Sequence, residues 1–279
     1  MEITVLMENL GPETLACEHG LSVHVEYNGH SILLDTGSSG AFADNARALG
    51  VNLAGVECAV LSHGHYDHAD GLRAFFAAND HAPLYLRKGA REGYFSMRGG
   101  TQPRFVGIHR DICRDYDHRM VEVDRVYPLM EGVWLVGNPA PEANVERAQH
   151  LYKKVGEDAF VEDNFSHEHS LVLEGERGLV IFNSCCHAGA ANIADHIAKT
   201  FPGKPIAALL GGFHMMGATG TDSINCSGDY IKRVADTFKR LGIGKIYTGH
   251  CTGIPAFDLL RKELGDRLTY MRTGDRLSL

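Results

Sequence analysis

The sequence contains no apolar run that approaches the roughly 20 residues needed to span a membrane. Its first residues, MEITVLMENLGPE, carry acidic side chains where a secretory signal peptide has basic ones. Basic runs are also missing, and the formal net charge is −8. Because proteins that bind duplex nucleic acid rely on clustered lysine and arginine, we expect a soluble, cytoplasmic protein that binds neither membranes nor nucleic acids.

Several common catalytic motifs are absent as well. The sequence has no GxSxG nucleophile elbow, no GxGxxG loop, no Walker loop and no short-period repeat. Disulfides are not expected either, because the seven cysteines are an odd number and Cys185 and Cys186 are adjacent. Sixteen histidines, by contrast, are more than a chain of 279 residues usually carries. The composition therefore favours metal chemistry.

Hydrophobic periodicity predicts strands and helices in alternation, in an order that the second half of the chain repeats. The predicted strands are Ile3–Met7, Leu21–Tyr27, Ser31–Leu34, Cys58–Leu61, Ser170–Glu174, Leu179–Phe182, Ile206–Leu210 and Lys245–Tyr247. The predicted helices are Phe42–Leu49, Leu72–Ala78, Ala190–Thr200, Ser227–Leu241 and Ala256–Leu264. Asn28-Gly29 is the preferred two-residue hairpin turn and joins the second and third strands.

The stretch from Arg87 to Glu168 is poorly periodic, rich in charge and histidine, and interrupted by four prolines. We expect it to be an insertion that covers a site and sets substrate specificity, and not a domain of its own. Residues 1–279 would then form a single domain, and a hydrophobic content of 44% is sufficient for one large core.

The densest group of metal-binding side chains lies in SHGHYDHADGL, directly after the apolar run CAVL. In an extended segment, residues two apart face the same side, so His63 and His65 can aim both imidazoles at one point. Asp67 and His68 follow after a bend and can reach a second point nearby. This spacing fits two metal ions with open coordination positions. A polar loop of solvated histidines is the weaker alternative, because it does not account for all four side chains.

These residues resemble the metallo-β-lactamase-fold hydrolase superfamily. That superfamily has an aspartate at the end of an early strand, matched by Asp35 in ILLDTG, and then HxHxDH. EHGLS, LLDTG, LSHGHYDH, SCCH, GGFH and GHCTG are similar to the branch of ribofuranosylaminobenzene 5′-phosphate synthase-like proteins. The branch more often has GCSH for SCCH and HTGGL for HADGL. The resemblance implies an α/β fold, a four-layer αββα sandwich in which each half of the chain contributes one sheet.

The resemblance also implies metal ligands in the second half of the chain. His250 matches the last histidine ligand of the superfamily and would join Asp67 and His68 on the second metal. Cys185 falls where the superfamily has its bridging aspartate or cysteine, although a buried core thiol is the alternative. His187 is the expected third ligand of the first metal, beside His63 and His65. SHEHSL offers His167 and His169 as alternatives for that position, and His169 is the substitute.

Three further residues have expected roles near these ligands. Asp35 would accept the far N–H of a ligating imidazole and so fix its tautomer, with a turn role as the alternative. Asp67 would orient the attacking nucleophile. His214 in GGFHMMG would donate a proton or hydrogen bond to the leaving group. His19 in EHGLS is a candidate for the same neighbourhood.

The expected cofactors are two divalent metal ions, zinc if Cys185 binds and manganese or iron if the ligands are all histidine and aspartate. The expected function is a metal-dependent hydrolase that activates water against a small, phosphorylated or cyclic-ester substrate. Two alternatives remain: a ribosyl-phosphate transferase of the synthase type, and a non-catalytic metal or redox binder. The sequence leaves the oligomeric state open.

Overall fold

A computed structural model describes residues 1–97, 102–141 and 150–279 of the chain. The chain divides into two compact units. Unit 1 comprises Met1–Asp124, Gln149–Glu168 and Arg272–Ser278, and unit 2 comprises Arg125–Ala148, His169–Met271 and Leu279. Each unit contains both strands and helices. Among the helices of the described residues, none combines the length and apolar character of a membrane span.

The strands in chain order are β1 (Glu2–Met7), β2 (Ser22–Tyr27), β3 (His30–Leu34), β4 (Cys58–Leu61), β5 (Leu84–Arg87), β6 (Tyr94–Ser96), β7 (Arg104–Phe105), β8 (Met120–Val123), β9 (Val126–Met130), β10 (Val133–Gly137), β11 (Leu151–Val155), β12 (Ala159–Glu162), β13 (His169–Gly175), β14 (Gly178–Phe182), β15 (Ile206–Gly211), β16 (Lys245–Thr248), β17 (Leu268–Tyr270) and β18 (Arg276–Ser278). The α-helices are α1 (Ala41–Ala48), α2 (Tyr66–Ala69), α3 (Leu72–Ala78), α4 (Arg110–Asp115), α5 (Ala190–Thr200), α6 (Gly228–Arg240) and α7 (Ile254–Leu264).

The main sheet of unit 1 has seven strands in the order β18-β1-β2-β3-β4-β5-β8. The first four strands pair antiparallel, and β3, β4, β5 and β8 pair parallel. Parallel strands end at the same edge of a sheet. Asp35, which follows β3, and the histidine-rich loop, which follows β4, are therefore neighbours. A smaller antiparallel sheet, in the order β12-β11-β6-β7, completes unit 1.

The core of unit 1 explains why its helices form where they do. The apolar faces of α1 and α3 bring Phe42, Leu72 and Phe75 into one buried cluster with Leu33 of β3 and Leu61 of β4. All five are 0% exposed. At about 25 cal/mol per Å² of buried apolar surface, this packing stabilises the strand ends that carry the histidine-rich loop.

Unit 2 has one seven-stranded sheet, in the order β17-β16-β15-β14-β13-β10-β9. The strands β9, β10, β13 and β14 pair antiparallel with their neighbours, and β14, β15, β16 and β17 pair parallel. The helices α5, α6 and α7 bury Ile193, Val234, Phe238 and Leu260 in one apolar cluster. The parallel arrangement places the loops after β14, β15 and β16 at one edge of the sheet.

The structure confirms the strands and helices that periodicity predicted, with boundaries that shift by one or two residues. It also forms strands between Arg87 and Glu168, where periodicity indicated none. Strands such as β9 and β11 are half-buried along most of their length, so their side chains do not alternate between apolar and polar. Residues 98–101 and 142–149 of this stretch lie outside the described residues. The single domain and the covering role of the stretch stay predictions.

Candidate metal centre

The histidine-rich loop of unit 1 leaves β4 and enters the short helix α2. His63 lies in a bend and His65 is extended just before α2, and the turn of α2 brings Asp67 and His68 back toward them. The four side chains are buried. The ring centroid of His63 lies 4.6 Å from that of His65 and 4.4 Å from that of His68. Unit 1 thus brings these four predicted ligands into one cluster.

Asp35 supports this cluster from the end of β3. Its Oδ2 accepts a hydrogen bond from His68 Nδ1 at 2.8 Å and from Ser62 Oγ at 2.7 Å, and its Oδ1 accepts one from Ser62 N at 2.8 Å. Because the Ser62 hydroxyl donates to Asp35, its oxygen accepts from His63 Nδ1 at 2.9 Å. With a cation bound, both imidazoles would therefore hold their proton on Nδ1 and offer it the lone pair of Nε2.

Burial and neighbouring charge give these histidines different proton affinities. Burial, and then the nearby imidazoles, lower the pKa of His63 well below its usual value, and burial lowers that of His65 to about 4. Burial also lowers the pKa of His68, but the carboxylates of Asp67 and Asp35 outweigh it and raise that pKa to about 10. The two carboxylates favour a positive charge at this position, which a proton or a bound cation supplies.

His19 lies beside the same carboxylate. Its Nε2 is 3.3 Å from Asp67 Oδ2, which also lies 3.5 Å from His68 Nε2. The His19 side chain is 42% exposed and that of Asp67 only 10%. A group that approaches from solvent therefore meets His19 before it meets Asp67. The expectation that His19 belongs to this neighbourhood is consistent with these distances.

Sequence reasoning did not predict the hydrogen-bond network that also holds this loop, because SHEHSL indicated His167 only as a possible metal ligand. His167 Nδ1 accepts a hydrogen bond from Gly64 N at 3.0 Å, across 103 residues of chain. Its Nε2 therefore carries the proton and donates to Asp163 Oδ2 at 3.1 Å. The ring of Tyr94 lies against that of His167, with centroids 4.0 Å apart. Asp163 Oδ2 is also 3.9 Å from His65 Nε2.

Replacing His167 with alanine is expected to weaken metal binding about 10- to 100-fold, the usual effect of losing a residue that orients ligands. The change removes the acceptor of Gly64 N and the donor to the buried Asp163 carboxylate. Competition with a chelator measures the affinity. His30→Ala is the control, because His30 is an exposed histidine that pairs with Glu57. Equal affinity in the His167 variant and in the parent protein would show that the loop keeps its geometry without this residue.

In unit 2, the loops at the carboxyl ends of three parallel strands carry the remaining predicted side chains. Cys185 and His187 follow β14, His214 follows β15, and His250 and Cys251 follow β16. All but the half-buried His214 are buried. Cys185 is central, since its Sγ lies within 4.8 Å of a ring nitrogen of His187, His214 and His250. The rings of His187 and His214 have centroids 4.2 Å apart.

These loops hold an uncommon backbone conformation. Cys186, His214 and His250 have φ angles of 55°, 49° and 48°, in the left-handed region that side chains with a Cβ rarely adopt. Gly211 is required where it stands, because its φ is 139° and a Cβ there would lie 1.7 Å from Asn183 O. Such strain is typical of functional sites and persists only where the surroundings impose it. Here the Thr252 hydroxyl accepts from Phe213 N at 2.9 Å.

The predicted site residues thus fall into two groups that are each compact. Unit 1 brings together Asp35, His63, His65, Asp67 and His68, and unit 2 brings together Cys185, His187, His214 and His250. His169, the substitute for His187, begins β13 and belongs to none of the groups of metal-binding side chains found among the described residues. The ligand assignments themselves stay predictions.

Residues 16–182 match the profile of the metallo-β-lactamase superfamily. This is more than half of the chain, so the protein belongs to that superfamily. A solved structure of a metal-dependent hydrolase of the β-lactamase superfamily is 29% identical, with a TM-score of 0.83 over 100% of this chain and 99% of that one. A diphosphatase of the PhnP family shares the fold, with 16% identity and a TM-score of 0.56 over 100% of this chain and 97% of that one. The predicted superfamily and its α/β fold are confirmed.

The chain is also similar to two curated proteins of Methanocaldococcus jannaschii. One, a 7,8-dihydropterin-6-methyl-4-(β-D-ribofuranosyl)-aminobenzene-5′-phosphate synthase, is 28% identical over 92% of this chain and 88% of its own length. The other is an uncharacterized protein, 27% identical over 92% of this chain and 93% of its own length. Superfamily membership and the grouped histidine, aspartate and cysteine side chains together imply that the protein binds divalent metal.

Proposed function

We propose that the protein is a metal-dependent hydrolase that uses two divalent ions to activate water against a small phosphorylated or cyclic-ester substrate. The observation that carries the proposal is the buried cluster of His63, His65, Asp67 and His68, in which Asp35 directs the Nε2 lone pairs toward a cation. The similar solved structure, described as a metal-dependent hydrolase, supports the same reaction class.

The proposed ligands are those that the sequence motifs predict. His63, His65 and His187 would hold one ion, and Asp67, His68 and His250 the other, with Cys185 in the bridging position. The assignment of the unit 2 side chains to the same ions rests on the sequence motifs. Donors of this kind suit zinc, and manganese or iron would suit the set without Cys185.

Bound divalent ions would supply the Lewis acidity that makes water a nucleophile near pH 7. The protein side chains orient the water, position the ligands and protonate the leaving group. Asp67 is nearly buried and can accept a hydrogen bond from the attacking water, which orients it toward the substrate. Asp35 keeps the His68 ring in place through its 2.8 Å hydrogen bond. His214 has a partly exposed ring and can donate a proton to the leaving group.

A second candidate function is transfer of a ribosyl phosphate to an aromatic amine. The similarity to the synthase of Methanocaldococcus jannaschii, which extends over 92% of this chain, favours it. In that reaction, cations would bind the phosphate groups of the substrate and would not generate a nucleophile from water. The substrate is a small molecule in both functions.

Turnover is expected to stop when metal is removed with a chelator and to return when a divalent ion is added. The experiment uses a panel of phosphomonoesters, phosphodiesters and lactones in water enriched in ¹⁸O, with mass spectrometry of the products. A hydrolase incorporates one solvent oxygen per turnover. Product that forms only with an amine co-substrate, and without solvent oxygen, would support the transferase and contradict hydrolysis. Elemental analysis of protein purified without added metal identifies the ion.

A further inference from the structure

Two cysteines and one histidine meet at the edge of the unit 2 sheet. Cys185, His214 and Cys251 follow three adjacent parallel strands, β14, β15 and β16, whose carboxyl ends lie side by side. One ligand atom from each side chain, the two Sγ atoms and a ring nitrogen, lies within 4.8 Å of the other two. The predicted ligand set includes Cys185 but not Cys251.

The backbone holds Cys251 in this position. Its Sγ accepts a hydrogen bond from His214 N at 3.2 Å and donates to Cys185 O at 3.7 Å. Gly212 makes this approach possible, because a Cβ at that position would lie 2.5 Å from Cys251 Sγ. Both cysteines are buried, with 3% and 4% exposure, and neither forms a disulfide.

The other buried cysteines, Cys186 and Cys58, have different surroundings from Cys185 and Cys251. Cys186, the neighbour of Cys185, packs in the apolar core of unit 2, and its Sγ lies 3.7 Å from Asn183 O. Cys58 is buried in β4, where burial raises the pKa of its thiol to about 12, and it belongs to none of the groups of metal-binding side chains found among the described residues. Cys185 and Cys251, in contrast, face a histidine.

We propose that Cys185, Cys251 and His214 bind one zinc ion as a Cys₂His site with its fourth position open. Two thiolates and an imidazole are the soft donors that zinc prefers, and three protein ligands with a vacant fourth position are typical of reactive zinc sites. In a tetrahedral site with Zn–S bonds of about 2.3 Å, neighbouring ligand atoms are roughly 3.5 to 3.8 Å apart. The ligand atoms, which lie within 4.8 Å of one another, therefore need to approach by at most about 1 Å.

This site goes beyond the proposed hydrolase, which requires neither Cys251 nor metal binding by His214. Cys185 belongs to both ligand sets, so an ion in the Cys₂His site would share its thiolate with the hydrolase centre. Removal of Cys251 therefore tests the Cys₂His site and leaves the seven ligands proposed for the hydrolase intact.

The test is cobalt substitution of the full-length protein under reducing conditions. Cobalt bound by thiolate gives a near-ultraviolet charge-transfer band whose intensity rises with the number of Co–S bonds. Cys251→Ser is expected to remove one such bond, so that roughly a third to a half of the band is lost. Cys186→Ala is the matched control, because it removes the adjacent buried thiol, and its band is expected to equal that of the parent protein. Circular dichroism establishes that both variants are folded.

A second measurement needs no variant. X-ray absorption at the zinc edge of the parent protein, loaded with one equivalent of zinc, is expected to show two sulfur neighbours at about 2.3 Å. The proposal is overturned if at most one sulfur is found, if Cys251→Ser keeps the full cobalt band, or if the two cysteines form a disulfide in protein isolated with reductant. None of these outcomes affects incorporation of ¹⁸O, which tests the hydrolase separately.

Discussion

Replacing His63 with alanine is expected to reduce the metal bound per chain and to abolish turnover. His63 lies between His65 and His68, with ring centroids 4.6 and 4.4 Å away, so its loss opens the centre of the cluster. Asp67→Ala is expected to have the same effect, because it removes a proposed ligand and the group proposed to orient water. Elemental analysis of the purified variants and turnover of the substrate found in the panel measure both results.

The matched control for this change is His24→Ala. His24 is also a buried histidine of unit 1, 4% exposed, but it lies in β2 and pairs with Ser31 at 2.8 Å. Its loss costs stability, as removal of any buried and hydrogen-bonded group does, by about 1 to 3 kcal/mol. It is expected to leave the metal content unchanged. Two ions per chain in the His63 or Asp67 variant would contradict the ligand assignment.

Asp35→Asn is expected to weaken metal binding about 10- to 100-fold and to lower the free energy of unfolding by about 2 kcal/mol. The carboxylate accepts three hydrogen bonds, two from Ser62 and one from His68. An asparagine amide presents two N–H groups on one side, so at least one of these donors would face another donor. Chelator competition measures the metal affinity, and urea denaturation measures the stability.

Asparagine is the informative substitution because it fits the backbone conformation of residue 35. Asp35 has a φ angle of 57°, and asparagine tolerates this left-handed conformation at least as well as aspartate does. The variant therefore removes the charge without adding backbone strain. Asp44→Asn serves as the control, because Asp44 is an exposed aspartate that pairs with Arg47 on α1. A metal affinity for Asp35→Asn within twofold of the control would show that Asp35 acts only as a turn residue.

Local spacing explains what could be predicted from the sequence. The strand Cys58–Leu61 and the helix Leu72–Ala78 have the predicted boundaries, because a short apolar run and a helical pattern frame a loop that is full of polar side chains. The closeness of His63 and His68 is also local, since only the bend after β4 and the single turn of α2 separate them in the chain.

Contacts between distant parts of the chain could not be predicted. The hydrogen bond from Gly64 to His167 spans 103 residues, and the contact from Cys251 to Cys185 spans 66. Hydrophobic periodicity in the sequence does not predict such pairs, because they depend on which strand ends lie side by side. The strands between Arg87 and Glu168 were missed for a different reason: strands that are half-buried on both faces lack the alternation by which a strand is recognised.

The hydrogen bond between His167 and Gly64 limits how the protein can be re-engineered. The stretch after β5, which we predict to set substrate specificity, could be exchanged for that of a relative. Such a graft has to retain Asp163 and His167 at its far end, since His167 accepts a hydrogen bond from Gly64 in the histidine-rich loop and donates one to Asp163. A chimera whose junction falls before residue 163 preserves these hydrogen bonds, whereas one that replaces residues 163–168 would remove them and is expected to bind metal more weakly.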